Sequence, residues 1–244
     1  MTDIMTLQNL LSELRLKGMQ MALETLLEKA NKQGISIQEF LHEMLLQEKK
    51  FKQERSIQYR INQAKLPFEW SLNTFPFHLK PSINKTQIMT LSGLEFVERG
   101  DNIVFIGEPG TGKTGLSIGL IRKALLEGYR GRFYKVQDLL DELFASLVDR
   151  STSKLLKKLT NLDVIIMDEL GYLTLNQEQM NMFFKLMDER YNKSKSTIIT
   201  TNLTYEKWYD ILKPKSMVDA LLDRLLHNCI TINIENGSLR RPQD

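Results

Sequence analysis

Hydrophobic residues follow two different periods along this chain, and the change comes near residue 66. Before it, Leu7, Leu10, Leu11 and Leu14 fall at helical spacing, as do Met19, Ala22, Leu23, Leu26, Leu27 and Ala30. Gly34 ends that second segment. Ser36 with Glu39 reads as a capping box that opens a third helix, with Phe40, Leu41, Met44 and Leu45 on one face and a run to about Ala64. Residues 1–66 therefore read as a small all-helical domain whose apolar stripes face a core. Pro67, Pro76 and Pro81 punctuate the next stretch, where the aromatics Phe68 to Phe77 cluster. Proline restricts itself and its predecessor, so 67–83 reads as an irregular linker. From residue 84 to 244 short apolar runs alternate with amphipathic segments. Strands are predicted at Asn102–Ile106, Gly131–Val136, Asp163–Met167, Ser196–Thr201 and Cys229–Asn233. Near-continuous apolar strands separated by helices imply an α/β fold with a five-stranded parallel sheet covered on both faces.

The first predicted strand runs into Gly107, Glu108, Pro109, Gly110, Thr111, Gly112, Lys113 and Thr114, and an amphipathic helix over Leu116–Leu126 follows. This is G-x-x-x-x-G-K-[ST] in its required strand–loop–helix context. The glycines let the backbone N–H groups turn toward a phosphate, and the helix N-terminus adds positive potential. Pro109 stiffens the loop. Lys113 supplies a point charge for the β- and γ-phosphates of ATP, and the Thr114 hydroxyl can ligate Mg²⁺.

A second motif, VIIMDE over 164–169, is a buried strand ending in two carboxylates. Asp168 is placed to hold the Mg²⁺ with Thr114, and Glu169 to polarise an attacking water as general base. That pairing favours hydrolysis over transfer to an acceptor. Asn202, at the end of the fourth strand, either positions the water or caps the helix predicted at Thr204–Asp210. Arg224, on a helix whose Leu221, Leu222, Leu225 and Leu226 face inward, either reaches a neighbouring subunit's γ-phosphate or makes a surface ion pair with Asp219 or Asp223. Arg240 and Arg241 follow the last strand and add positive charge near the nucleotide.

Composition narrows the class without changing this picture. The chain has 244 residues, of which 42% are hydrophobic and 26% charged, as in ordinary globular domains. One cysteine excludes an internal disulfide framework and a cysteine-rich zinc site. No apolar run is long enough to span a membrane, and no signal peptide is visible, so a cytoplasmic protein is expected. The formal net charge of +3 permits a nucleic-acid partner without requiring one. Two basic runs are candidates for phosphate tracking. Among residues 49–65, Lys49, Lys50, Lys52, Arg55, Arg60 and Lys65 oppose the single acid Glu54. Residues 150–158 hold Arg150, Lys154, Lys157 and Lys158 and no acid. Both are also what a solvated helix face looks like. No signature of a sequence-specific DNA reader is present.

Taken together, the motifs resemble the AAA+ P-loop ATPases, in the branch of the DnaC helicase loader and the IstB-like transposition helpers of insertion sequences. The similarity runs over nearly the whole chain. It appears in LRLKGMQMALETLLEKA, RINQAKLPFEWSLNTFPF, GEPGTGKT, VIIMDELGYL, STIITTN, LLDRLLH and the closing NGSLRR. The resemblance implies an ATPase that binds duplex DNA with little sequence preference, oligomerises on it as a ring or spiral, remodels it and delivers it to a partner transposase. It implies that Asn202 is a first sensor and that Arg224 acts in trans. It also implies that the run containing Lys154, Lys157 and Lys158 faces the bore of the assembly. Two departures stand out. Gly115 replaces a residue often histidine in relatives and starts a helix poorly. Only about eleven residues follow the fifth predicted strand, which leaves no room for a C-terminal helical lid. Competing readings are a helicase loader, a small-molecule kinase and a nucleotide-switched scaffold with negligible turnover.

Overall fold

The computed structural model describes residues 3–80, 82–171, 175–235 and 239. The chain divides into two compact units, Met1–Tyr59 and Arg60–Asp244.

The first unit is helical. Helices α1 (Ile4–Glu13), α2 (Lys17–Gln33) and α3 (Ile37–Ala64) form where the stripes predict them, but Leu10, Leu14, Leu41 and Leu45, expected to face a core, are exposed because so thin a bundle covers only part of each face. Their core is small: Met19, Leu23, Leu26 and Met44 are buried, with Leu7, Leu11, Leu27 and Phe40 packed against them. α2 ends on Gly34 in the left-handed region (φ 64°), and the Ser36 hydroxyl accepts the Glu39 N–H at 3.2 Å to open α3. The N-terminus of α2 has no cap of its own. The buried Glu48 of α3 supplies one by accepting the Met19 N–H at 3.1 Å, which places a carboxylate at the positive end of the helix.

In the second unit, two 3₁₀ turns (Leu72–Thr74 and Phe77–Leu79) lead into α4 (Lys85–Leu91) and α5 (Glu95–Arg99). Then follow β1 (Asn102–Gly107), α6 (Lys113–Leu126), β2 (Gly131–Lys135), α7 (Val136–Val148), α8 (Thr152–Thr160) and β3 (Val164–Leu170). α9 (Gln177–Asn192), β4 (Ser196–Thr201), α10 (Tyr205–Ile211), α11 (Lys215–His227) and β5 (Cys229–Ile234) complete it. The sheet is parallel throughout, in the order β2-β3-β4-β1-β5. The five expected strands are present, and Val136, read as the end of the second, instead opens α7. Among the described residues no helix follows β5.

One face of the sheet is covered by α7, α8, α9 and α11 through Leu139, Leu143, Leu156, Phe183 and Leu221. The other is covered by α6 and the aromatic segment through Leu116, Leu120, Phe75 and Ile88. Parallel strands sandwiched this way must be apolar on both faces, which is why Ile103, Val104, Phe105 and Val164–Met167 are all buried. Arg190 of α9 is the exception that ties the layers together. Its buried guanidinium donates to the carbonyls of Leu159 and Leu162 at 2.7 and 3.1 Å, to Ser196 O, and to Thr197 Oγ1 at 3.1 Å. Burial pulls its pKa down to about 9, against the opposing pull of Asp163. These bonds fix the C-terminal end of α8 beside the starts of β3 and β4.

Candidate functional site

The glycine-rich loop lies between the end of β1 and the first turn of α6, where three strands of the sheet finish side by side. Gly112 holds φ 99°, a conformation that a Cβ would strain, so that the loop can turn into α6. Thr111 Oγ1 donates to Glu108 O at 2.8 Å and closes the loop. Lys113 Nζ donates to the carbonyls of Gly107 and Glu108, both at 2.7 Å, so its charge stays over the concave side.

β4 lies between β1 and β3 in the sheet, so its end faces both motifs. Thr114 Oγ1 donates to Asp168 Oδ1 at 2.8 Å, and Thr200 Oγ1 donates to the same oxygen at 2.6 Å. Asp168 is only 3% exposed. Burial pushes its carboxyl above the usual carboxylate range, opposed by the bonds from Thr200 and Thr114. The β3–β4 register slips between Met167 and Leu170, and Glu169 sits in this bulge at φ 65°. A bulge re-aims a side chain: Asp168 turns into the sheet edge while Glu169 is exposed. The Glu169 N–H donates to Thr200 Oγ1 at 3.0 Å, so one hydroxyl fixes both members of the acidic pair. The Glu169 carboxylate meets Lys135 Nζ, from the end of β2, at 3.4 Å.

Thr200 is the residue that sequence reasoning missed. A signal existed: it lies near the end of β4, two positions before Asn202, which follows the strand. Asn202 lines the same cavity, about 190 Å³, together with Pro109, Lys113, Thr114, Glu169 and Thr200. Its Oδ1 is buried against Gly171 and, among the described residues, has no hydrogen-bond partner. The cavity itself, walled by an ammonium, hydroxyls and a carboxylate, suits a hydrated phosphate group.

On the other side of the loop is a second, more apolar cavity of about 280 Å³. Phe68, Trp70, Gly110–Gly115 and Leu239 line it. Trp70 and Phe68 were not singled out from sequence, though their aromatic cluster was. A Cβ on Gly115 would approach Trp70 Cε3 to 2.7 Å. That is the physical reason for glycine here: the indole lies on the first turn of α6.

The remaining candidate residues lie elsewhere. Arg224 lines a cleft of about 310 Å³ with Asn102, Arg190, Thr197 and Asn228, at the N-terminal edge of the sheet. The six residues of β1 separate that edge from the loop by about 17 Å at ~3.3 Å per residue. Arg224 pairs with Asp188 of α9, not with Asp219 or Asp223; Asp219 instead accepts the Tyr209 hydroxyl at 2.6 Å. Lys154, Lys157 and Lys158 are exposed on α8 above the buried Leu155, Leu156 and Leu159, and Arg150 is exposed in the preceding corner at φ 58°. In the first run, Lys49 and Arg55 are exposed, Lys52 pairs with Glu48 at 3.3 Å, and Arg60 Nε donates to Leu125 O at 2.8 Å. Arg240 and Arg241 lie outside the described residues. No described helix is long and apolar enough to cross a membrane.

Comparison with known proteins fits this geometry. The IstB-like ATP-binding family matches residues 9–244. A protein of insertion sequence IS21 from Pseudomonas aeruginosa, provisionally named as ATP-binding, is 37% identical over 96% of this chain and 88% of its own length. The corresponding protein of IS5376 from Geobacillus stearothermophilus is 36% identical over 87% of this chain and 84% of its own. Among solved structures, the DnaC helicase loader superposes with a TM-score of 0.60 at 26% identity, covering 70% of this chain and all of that one. The replication initiator DnaA, bound to AMPPCP and single-stranded DNA, shares the fold with a TM-score of 0.60 at 18% identity, over 71% of this chain and 52% of its own. The fold is that of the AAA+ proteins, and the chain belongs to the IstB-like ATP-binding proteins of insertion sequences.

Proposed function

We propose that this protein is an ATP-hydrolysing transposition regulator that assembles on duplex DNA and delivers it to a partner transposase. The observation that carries this reading is the separation of its charges. Lys113, Thr114, Asp168, Glu169 and Asn202 converge at one edge of the sheet, whereas Arg224 stands at the other. Arg224 cannot serve the nucleotide of its own chain, so the site gains this cation only from a second copy.

In this reading the loop amides and Lys113 hold the triphosphate, and Phe68 and Trp70 offer apolar faces to the base. Thr114 and Asp168 would hold Mg²⁺, which when bound would neutralise charge on the phosphates. Asp168 is suited to this, since a desolvated carboxylate gains more from a cation than a hydrated one. Glu169 takes the proton of the attacking water, and Asn202 orients that water. Lys135 pairs with the Glu169 carboxylate from the end of the neighbouring strand β2. The exposed row Lys154, Lys157 and Lys158, with Arg150, tracks DNA phosphates. The helical segment 1–66, with Lys49, Lys52 and Arg55 on its last helix, contacts DNA or the partner, and 67–83 links it to the ATPase domain 84–244.

The test is sedimentation of the purified chain with duplex DNA, with and without ATP, at two salt concentrations. An ATP-dependent, salt-sensitive complex that Glu169→Gln traps and Lys113→Ala abolishes supports the proposal. If Glu169→Gln stays monomeric with ATP and DNA, the coupling of nucleotide to assembly is wrong. The likeness to DnaC over that chain's full length favours one alternative, a helicase loader. A monomer that binds ATP and ignores duplex DNA points there.

A further inference from the structure

The surroundings of Arg224 carry a further step. α9 and α11 pack side by side, and three groups grip the guanidinium from one side. Asp188 Oδ1 accepts from Nε. Ala220 O, one turn earlier on α11, accepts from Nη1 at 2.9 Å. The Phe184 ring lies beneath, with its centroid 5.0 Å from Cζ. The second Asp188 oxygen accepts from Asn192 Nδ2 at 3.2 Å, so the carboxylate is itself held. Among the described residues Nη2 has no hydrogen-bond partner, and the side chain remains 30% exposed. The cleft beyond it is lined by Arg99, Lys195 and His227, of which Arg99 pairs with Asp101 at 3.1 Å and Lys195 with Asp163 at 2.7 Å.

We propose that Asp188 and Phe184 are positioning residues that present the free edge of Arg224 to the nucleotide of a second copy of this chain. The inference rests on the trans role given to Arg224 above. An exposed arginine loses several freely rotating bonds when it docks on a phosphate. Here Nε and Nη1 are already fixed and the plane is set by the ring, so that ordering precedes assembly. A carboxylate that fully sequestered the arginine would take two N–H groups in a fork, end-on or side-on, with both of its oxygens. Asp188 takes Nε and leaves the distal edge open.

The experiment is steady-state ATP hydrolysis by the full chain on duplex DNA, with Asp188→Asn, Phe184→Leu, Arg224→Ala and the double variant Asp188→Asn/Arg224→Ala. Asp188→Asn keeps shape and removes charge. It is expected to lower kcat about tenfold, the weight of one charge-assisted hydrogen bond, while KM for ATP moves less than about twofold because the cis site is intact. Asp188→Glu should recover part of the loss, and Phe184→Leu should lower kcat in the same direction. Arg224→Ala should cost about a hundredfold or more, and the double variant should be no slower than Arg224→Ala alone. Additive losses would mean that Asp188 does not act through Arg224. Unchanged or faster turnover in Asp188→Asn, with Arg224→Ala impaired, would overturn the positioning role and leave the trans arginine standing. Unchanged turnover in Arg224→Ala would instead sink the reading on which the inference rests.

Discussion

Thr200→Val isolates the contribution of one hydroxyl. The substitution keeps the β-branched shape in a strand where the residue is 1% exposed, so packing changes little. It removes the bond to Asp168 Oδ1 at 2.6 Å and the acceptor for the Glu169 N–H at 3.0 Å. A bond to a charged acceptor contributes about 1.5–3 kcal/mol and a neutral one about 0.5–1.5 kcal/mol. Asp168 keeps its bond from Thr114, which discounts the first figure toward its lower end. The expected loss is about 2–3 kcal/mol at neutral pH, or about 4–12 °C in Tm for a domain of this size. The pH dependence is the sharper test. The Asp168 carboxyl already titrates above the usual carboxylate range because it is buried, and the Thr200 bond is the largest of the interactions that oppose that rise, ahead of the bond from Thr114. Removing the bond raises it further. The unfolded carboxyl then holds fewer protons than the folded one over a wider window, and stability falls more as pH rises through it. The difference between wild type and variant should therefore be largest at neutral pH and shrink as pH drops below the ordinary carboxylate value. Urea unfolding at neutral and acidic pH measures this. A pH-independent loss, or one under about 0.5 kcal/mol, would refute the view that Thr200 organises the acidic pair.

Two further outcomes follow from the same geometry. Asp168→Asn removes a desolvated charge while Oδ1 still accepts from Thr114 and Thr200, so the nucleotide-free protein should gain Tm at neutral pH and lose ATP turnover; because the folded pKa is raised, that gain should fade in acid, and a lower Tm at neutral pH would contradict it. Gly115→Ala puts a methyl 2.7 Å from the Trp70 ring, which should cost about 1–3 kcal/mol despite alanine's better helix propensity and should quench or shift the indole fluorescence; a more stable protein with unchanged emission would show that Trp70 does not lie on α6.

The elements and the motifs were legible in the sequence because both are local. A strand buried on two faces must be apolar throughout, so Asn102–Ile106 and Ser196–Thr201 stand out whatever surrounds them. The glycines, Lys113 and Thr114 sit within one turn of chain, and their spacing alone specifies the loop. Asp168 and Glu169 are adjacent in sequence, and separate roles for them were expected. The reason for the difference, a bulge held by Thr200, depends on a neighbouring strand 31 residues further along the chain.

Pairings between distant segments were not legible. Asp219 and Asp223 were natural partners for Arg224 because they share its helix, yet Asp188 of α9 holds it. Gly115 looked like a poor helix start, and only the fold shows the indole that requires it. Arg60 read as one of a row of cations, but its guanidinium caps the carbonyl of Leu125 at the end of α6. What the sequence by itself determined was which residues must be buried, where the glycine-rich loop lies and which acids end the strand beside it, since these follow from periodicity and local spacing. The tertiary structure alone decided which side chains meet across strands and helices. Hydrogen bonds and ion pairs act over about 3 Å, and chain order does not fix which elements come that close.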